Sequence, residues 1–145
     1  MSLVTLIELV HEYFDLPDGL IIENHTELLK VVDIKMTITE HPHINKKVYI
    51  TRRALKHFVE SRRADLLKKH TVEEALQRIV FTISVVSEVI LEFENYELIP
   101  PNNHFYNKDY STYGMPMVRV LLEAKDDFLC VKSIHFAKRT RKHRS

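Results

Sequence analysis

The chain has 145 residues and a formal net charge of +1, with 45% hydrophobic and 28% charged residues, so one ordinary hydrophobic core is expected and general disorder is excluded. No apolar run reaches the roughly 18 residues of a membrane span, and Glu8, His11, Glu12 and Asp15 arrive too early for a secretory signal, so no membrane or export is expected. One cysteine, Cys130, excludes an internal disulfide or a Cys-rich zinc module and suggests a cytoplasmic setting; two glycines exclude a Gly-rich phosphate loop.

In chain order, Leu3, Leu6, Ile7, Val10 and Phe14 recur at helical spacing behind a Ser2 cap, and Leu16-Pro-Asp-Gly19 ends that helix. Asn24 is read as the start of a short helix ending near Val32, with Leu28, Leu29 and Val32 on one face. Ile34, Met36 and Ile38 alternate with polar residues as a half-buried strand does, and His41 to Lys46 reads as a loop. Lys47 to Ile50 is a short strand running into Thr51, the cap of a helix over 51–69 whose core positions are Ala54, Leu55, Phe58, Val59 and Leu66. Thr71 and Glu74 have capping-box spacing and open a helix over 72 to about 90, although the β-branched run from Ile83 to Ile90 is also compatible with a strand.

The periodicity changes near residue 95. Tyr96 to Ile99 reads as a strand, the Pro100 to Pro116 stretch as a loop, and 117–123 and 128–136 as a hairpin around Lys125-Asp-Asp127. Helices first and paired strands last predict an α+β domain over 1–138, with amino-terminal and central helices packed on a carboxy-terminal antiparallel sheet, and a basic tail over 139–145.

The charge is unevenly spread. Residues 51–70 carry an excess of +5 and residues 132–145 an excess of +6, leaving −10 on the rest. Two basic segments on an acidic body predict a continuous positive surface that attracts a polyanion, and nucleic acid is the leading one. The expected phosphate contacts are Arg52, Arg53, Lys56, Lys132, Lys138, Arg139 and Arg141.

Within Lys47 to Arg63, the helix flank sets His57 among Arg53, Lys56 and Glu60. RNA cleavage needs a group that titrates near neutrality to move the 2′-hydroxyl proton and cations to stabilise the transition state. A plain surface histidine is the other reading. On the last strand, alternation puts Val131, Ser133 and His135 together unless a bulge intervenes, so Ser133 and His135 are candidates to bind the phosphate or protonate the leaving oxygen. His41-Pro-His43 lacks nearby carboxylates and reads as polar loop surface rather than a metal site. The tyrosines between His104 and Gly114 suit either base stacking or packing against a sheet, and Cys130 reads as a buried thiol.

The run KVYITRRALKHFVESR, followed by a helix and a sheet ending VKSIHFAK, resembles the barnase, EndoU, colicin and RelE-like ribonuclease superfamily, especially its phage-associated branch. The likeness spans about residues 46–138; residues 1–45 have no counterpart. It implies helices on a four-stranded antiparallel sheet, metal-independent cleavage of RNA to a 2′,3′-cyclic phosphate without a cofactor, and a toxin or phage-conflict setting with an acidic inhibitor protein as a further partner. His57 matches the helix histidine of that branch, and Lys132, Ser133 and Lys138 match its last-strand residues loosely. Two other classes fit the same residues. One is a non-enzymatic adaptor that binds nucleic acid or a protein through the basic helix and tail, and the other is an antitoxin-like protein docking through its first helix.

Overall fold

The computed structural model describes residues 3–35, 41–115 and 117–137. Three helices, α1 (Leu3–Phe14), α2 (Arg52–Leu66) and α3 (Val72–Leu91), pack on one face of a six-stranded sheet. The strands are β1 (Leu28–Asp33), β2 (Lys47–Thr51), β3 (Asn95–Ile99), β4 (Asn103–Lys108), β5 (Met117–Ala124) and β6 (Phe128–Ala137). Their order is β1-β2-β6-β5-β4-β3, so the hairpin β1–β2 joins the meander β3–β6 along one seam. That seam, β2 with β6, is parallel; every other pairing is antiparallel. The expected α+β class holds, and the single parallel seam between β2 and β6 makes the sheet mixed where an antiparallel one was expected.

Local chemistry explains the helices. In α1, Leu6, Leu9, Val10, Tyr13 and Phe14 form the buried stripe. Thr51 caps α2 by accepting from the Ala54 N–H at 3.0 Å, and the Thr71–Glu74 box closes reciprocally at 3.0 and 3.2 Å. The β-branched run stays helical to Leu91, since Ile79, Ile83, Val86 and Ile90 all reach the core from one helical face. Burial outweighs the modest intrinsic cost of those residues in a helix.

Two expectations are corrected. Residues 28–33 form strand β1, not the end of a helix: Asn24 has φ of 55° and starts no helix, and the ladder to β2 shifts register between Lys30 and Val32. The extra residue puts Leu29 and Val32, three apart, on the same sheet face, which imitates helical spacing. Residues 103–108, expected as loop, form β4 between β3 and β5, with His104 and Tyr106 buried against the helices and Phe105 on the opposite face. Of the expected strand at 34–38, Ile34 is buried just beyond β1; Met36 to Ile38 lie outside the described residues, as do the Ser2 cap and the 138–145 tail.

A bulge does intervene in β6. Leu121 pairs with Ser133 but Leu122 with Val131, so Lys132 is the extra residue. Val131 and Ile134 face the helices, whereas Ser133 and His135 share the uncovered face with Arg119.

Candidate active-site cleft

Arg63 starts the site by holding the end of α1. Its guanidinium donates to the carbonyls of Phe14 and Leu16, pairs with Asp18 and lies 5.7 Å from the centre of the Phe14 ring. Two turns earlier, Lys56 donates to the Pro17 carbonyl at 3.2 Å and pairs with Glu60, and Glu60 in turn accepts from the Gly19 N–H at 3.0 Å. Gly19 has φ of +76°, the left-handed turn that a residue with a side chain adopts at a cost. Further on, the backbone N–H groups of Arg52 and Arg53, orphan donors of the first turn of α2, are satisfied by the carbonyls of Glu27 and His25.

The 15–27 segment is therefore fastened to α2 at both ends. The cleft there is about 380 Å³, lined by Gly19, Leu20, Ile21, Ile22 and His25 from the segment and by Arg53, Lys56, His57 and Glu60 from α2. The Lys56–Glu60 ion pair is internal: the Lys56 side chain is 5% exposed. Burial pushes the Glu60 carboxyl up, but Lys56, the Gly19 N–H and His57 outweigh it and hold the group below the usual carboxylate range. Arg53 and His57 are exposed, and no acidic side chain pairs with the Arg53 guanidinium among the described residues.

His57 thus lies in a cleft beside Arg53, as its sequence context suggested. His25 is the residue that the sequence did not single out. It comes from a loop, 32 positions before His57, and the backbone bond from Arg53 to its carbonyl brings it to the same cleft.

The other expected site residues are distributed differently. Arg52 is held by Glu27 and the Tyr13 hydroxyl, and Lys56 is consumed by Glu60, which removes it as a phosphate contact. Ser133 and His135 lie across the sheet from the helices, whereas His57 is on the outer side of α2, so the fold does not assemble His57 and His135 on one phosphate. Burial first, then Arg119 and Arg62, hold the His135 imidazole below its ordinary range. Lys132 sits at the β6 bulge, 3.9 Å from Glu123. Lys138, Arg139 and Arg141 lie outside the described residues.

The positive surface expected of residues 51–70 is also corrected. Arg52, Lys56, Arg62, Arg63 and Lys68 pair with Glu27, Glu60, Asp65, Asp18 and Asp65, leaving Arg53 and Lys69 without an ion pair among the described residues. Two of those carboxylates, Asp18 and Glu27, belong to another segment, so a count along the helix overstates its field. No group of three or more His, Cys, Asp or Glu among the described residues could hold a metal ion, and no described helix is long and apolar enough to cross a membrane. Compared with known proteins, the chain matches no family model, no curated protein and no solved structure.

Proposed function

We propose that the chain is a metal-independent endoribonuclease whose working site is this cleft, with His25 and His57 as the acid–base pair and Arg53 as the phosphate ligand. The observation that carries the reading is that two imidazoles and one guanidinium without an ion pair among the described residues line the same cleft. One imidazole removes the 2′-hydroxyl proton as the 2′-oxygen attacks phosphorus. The P–O5′ bond breaks, the other imidazole supplies the proton to the leaving 5′-oxygen, and the product is a 2′,3′-cyclic phosphate. Arg53 offsets the charge that grows on the non-bridging oxygens, where a preorganised donor is worth most.

The Lys56–Glu60 pair keeps the helix and the 15–27 segment together without adding net charge, so the free cation is the one facing the cleft. Leu20 and Ile21 offer an apolar wall to a nucleobase. The internal pairing of α2 weighs against the adaptor reading, which needs the whole basic helix for phosphate. A toxin or phage-conflict role, an acidic inhibitor and a cytoplasmic location remain implications of the resemblance and of the single cysteine.

The test is incubation of the purified chain with end-labelled single-stranded RNA in excess chelator. Cleavage to cyclic-phosphate ends is expected, and His57→Ala and His25→Ala should each lower the rate by about 10²–10⁴-fold while leaving the protein folded. Absence of cleavage, or cleavage that survives both substitutions, overturns the assignment.

A further inference from the structure

The tyrosines between His104 and Gly114 part company in the structure. Tyr106 and Tyr110 are buried, and their hydroxyls meet His43 and Glu88. Tyr113 is 69% exposed, the one exposed Phe or Tyr among the described residues. It sits on the short 3₁₀ turn Ser111–Tyr113, which Gly114 closes with φ of +74°. Its ring lies 5.8 Å from that of Phe81 and 6.1 Å from that of Tyr110, centre to centre.

Facing this turn, Glu74, Gln77, Arg78 and Phe81 recur at i, i+3, i+4 and i+7 and so share one side of α3. With Tyr113 and Met115 they line a groove of about 320 Å³ that shares no residue with the cleft on α2. Arg78 is its cation. The acid one turn earlier, Glu74, is drawn back to the helix cap, where it accepts from the Thr71 N–H at 3.0 Å. Neutral groups hold the Arg78 guanidinium instead, the Gly114 carbonyl at 3.4 Å and the Met115 sulfur at 3.3 Å, and it forms no ion pair among the described residues.

We propose that this groove is a second RNA subsite, which takes an unpaired nucleotide with its base stacked on Tyr113 and its phosphate on Arg78; the inference rests on the ribonuclease reading. Any base offers a flat π-face to an exposed ring, and a guanidinium without a carboxylate partner keeps its attraction for phosphate. Gln77, an exposed amide in the same groove, meets Glu73 only at 3.5 Å and is open to a base edge. A wholly apolar partner would bury Arg78 without a counter-charge. The subsite touches no reacting atom, so it supplies binding shared by ground state and transition state, which lowers KM and leaves kcat alone.

The experiment compares the wild-type chain with Tyr113→Ala, Tyr113→Phe and Arg78→Gln. Binding is read by fluorescence anisotropy of a labelled single-stranded 2′-O-methyl oligonucleotide, which has no free 2′-hydroxyl to attack, and cleavage by steady-state kinetics on the matching RNA. Tyr113→Ala should weaken binding by about 10-fold, whereas Tyr113→Phe should bind as the wild type does, because stacking needs the ring and not the hydroxyl. Arg78→Gln should weaken binding and flatten the slope of log K against log salt by about 0.7. Both losses should raise KM at unchanged kcat, with circular dichroism unaltered. Tyr113-dependent binding without cleavage would sink the nuclease assignment and leave the subsite standing; cleavage with wild-type affinity in Tyr113→Ala would do the reverse. Equal losses in Tyr113→Ala and Tyr113→Phe, a fall in kcat, or Tyr113-dependent binding of AMP with none of the oligonucleotide also overturns the subsite.

Discussion

His43 Nδ1 and the Tyr106 hydroxyl are 2.5 Å apart, and this contact ties the loop between β1 and β2 to a strand near the opposite edge of the sheet. The same loop is fixed by His41. Its Nδ1 accepts from the His43 N–H at 3.0 Å, which leaves Nε2 to donate to the Ile90 carbonyl at 2.6 Å. His43 and His104 meet edge to face with ring centres 4.2 Å apart, and His41 stacks on Tyr106. What reads as a polar loop is a buried connection: His41 is 6% exposed and His104 9%.

This connection makes stability depend on pH. Burial first, then His104, His41 and Lys46, push the His43 imidazole down to about 4, and burial also lowers His41 and His104. A folded-state value below the unfolded value of 6.5 means that the unfolded chain binds more protons between those limits. The contribution is thus complete above about pH 6.5 and is lost as pH falls toward 4. For His43 it is at most about 3 kcal/mol, and less once solvent screening of its exposed edge is counted. Urea unfolding at pH 7.5 and pH 5.0 should show a clearly lower midpoint at pH 5.0, and a midpoint constant over that interval contradicts the argument. The depressed carboxylates Glu60 and Glu123 add to this only below their ordinary 4.5.

Tyr106→Phe isolates the hydrogen bond from the ring. Tyr106 is fully buried, so the ring packing survives while His43 Nδ1 loses its partner. A loss of about 1–3 kcal/mol is expected in denaturant unfolding, with retained secondary structure.

Arg53 and Lys56, three positions apart on α2, separate the functional cation from the structural one. Arg53→Gln should leave the melting temperature unchanged and slow RNA cleavage by about 10²-fold, as removal of one transition-state donor does. Lys56→Ala strands Glu60 and empties a buried position, and should cost on the order of 3 kcal/mol. Thermal melts and cleavage rates on both variants decide the matter; equal effects of the two on stability would remove the distinction.

The helix caps give a calibrated comparison. Thr71→Ala removes the hydroxyl that accepts from the Glu74 N–H and should cost about 1 kcal/mol. Leu55→Ala, at a fully buried position, should cost about 2–5 kcal/mol. Chemical unfolding of the two variants side by side checks the ratio.

Helices α1, α2 and α3, the caps at Thr51 and Thr71, the β5–β6 hairpin and the α+β class were legible in the sequence, because each rests on contacts within a few residues: a hydroxyl three positions from an N–H, or an apolar stripe repeating every turn. It also marked His57 and Arg53, one turn apart on a helix flank. Tertiary structure decided the rest. The bulge in β1 gave Leu29 and Val32 a spacing that a helix also has, and the long-range ladder to β2 settled which it was. Pairing with strands on both sides made residues 103–108 a strand despite their asparagines. The local excess of charge around α2 was reduced, not removed, by Asp18 and Glu27, 45 and 25 positions away from their partners. His25 entered the cleft and His135 was turned to the far face of the sheet for the same physical reason: which side chains share a surface is set by backbone hydrogen bonds between distant segments, and no local periodicity encodes those.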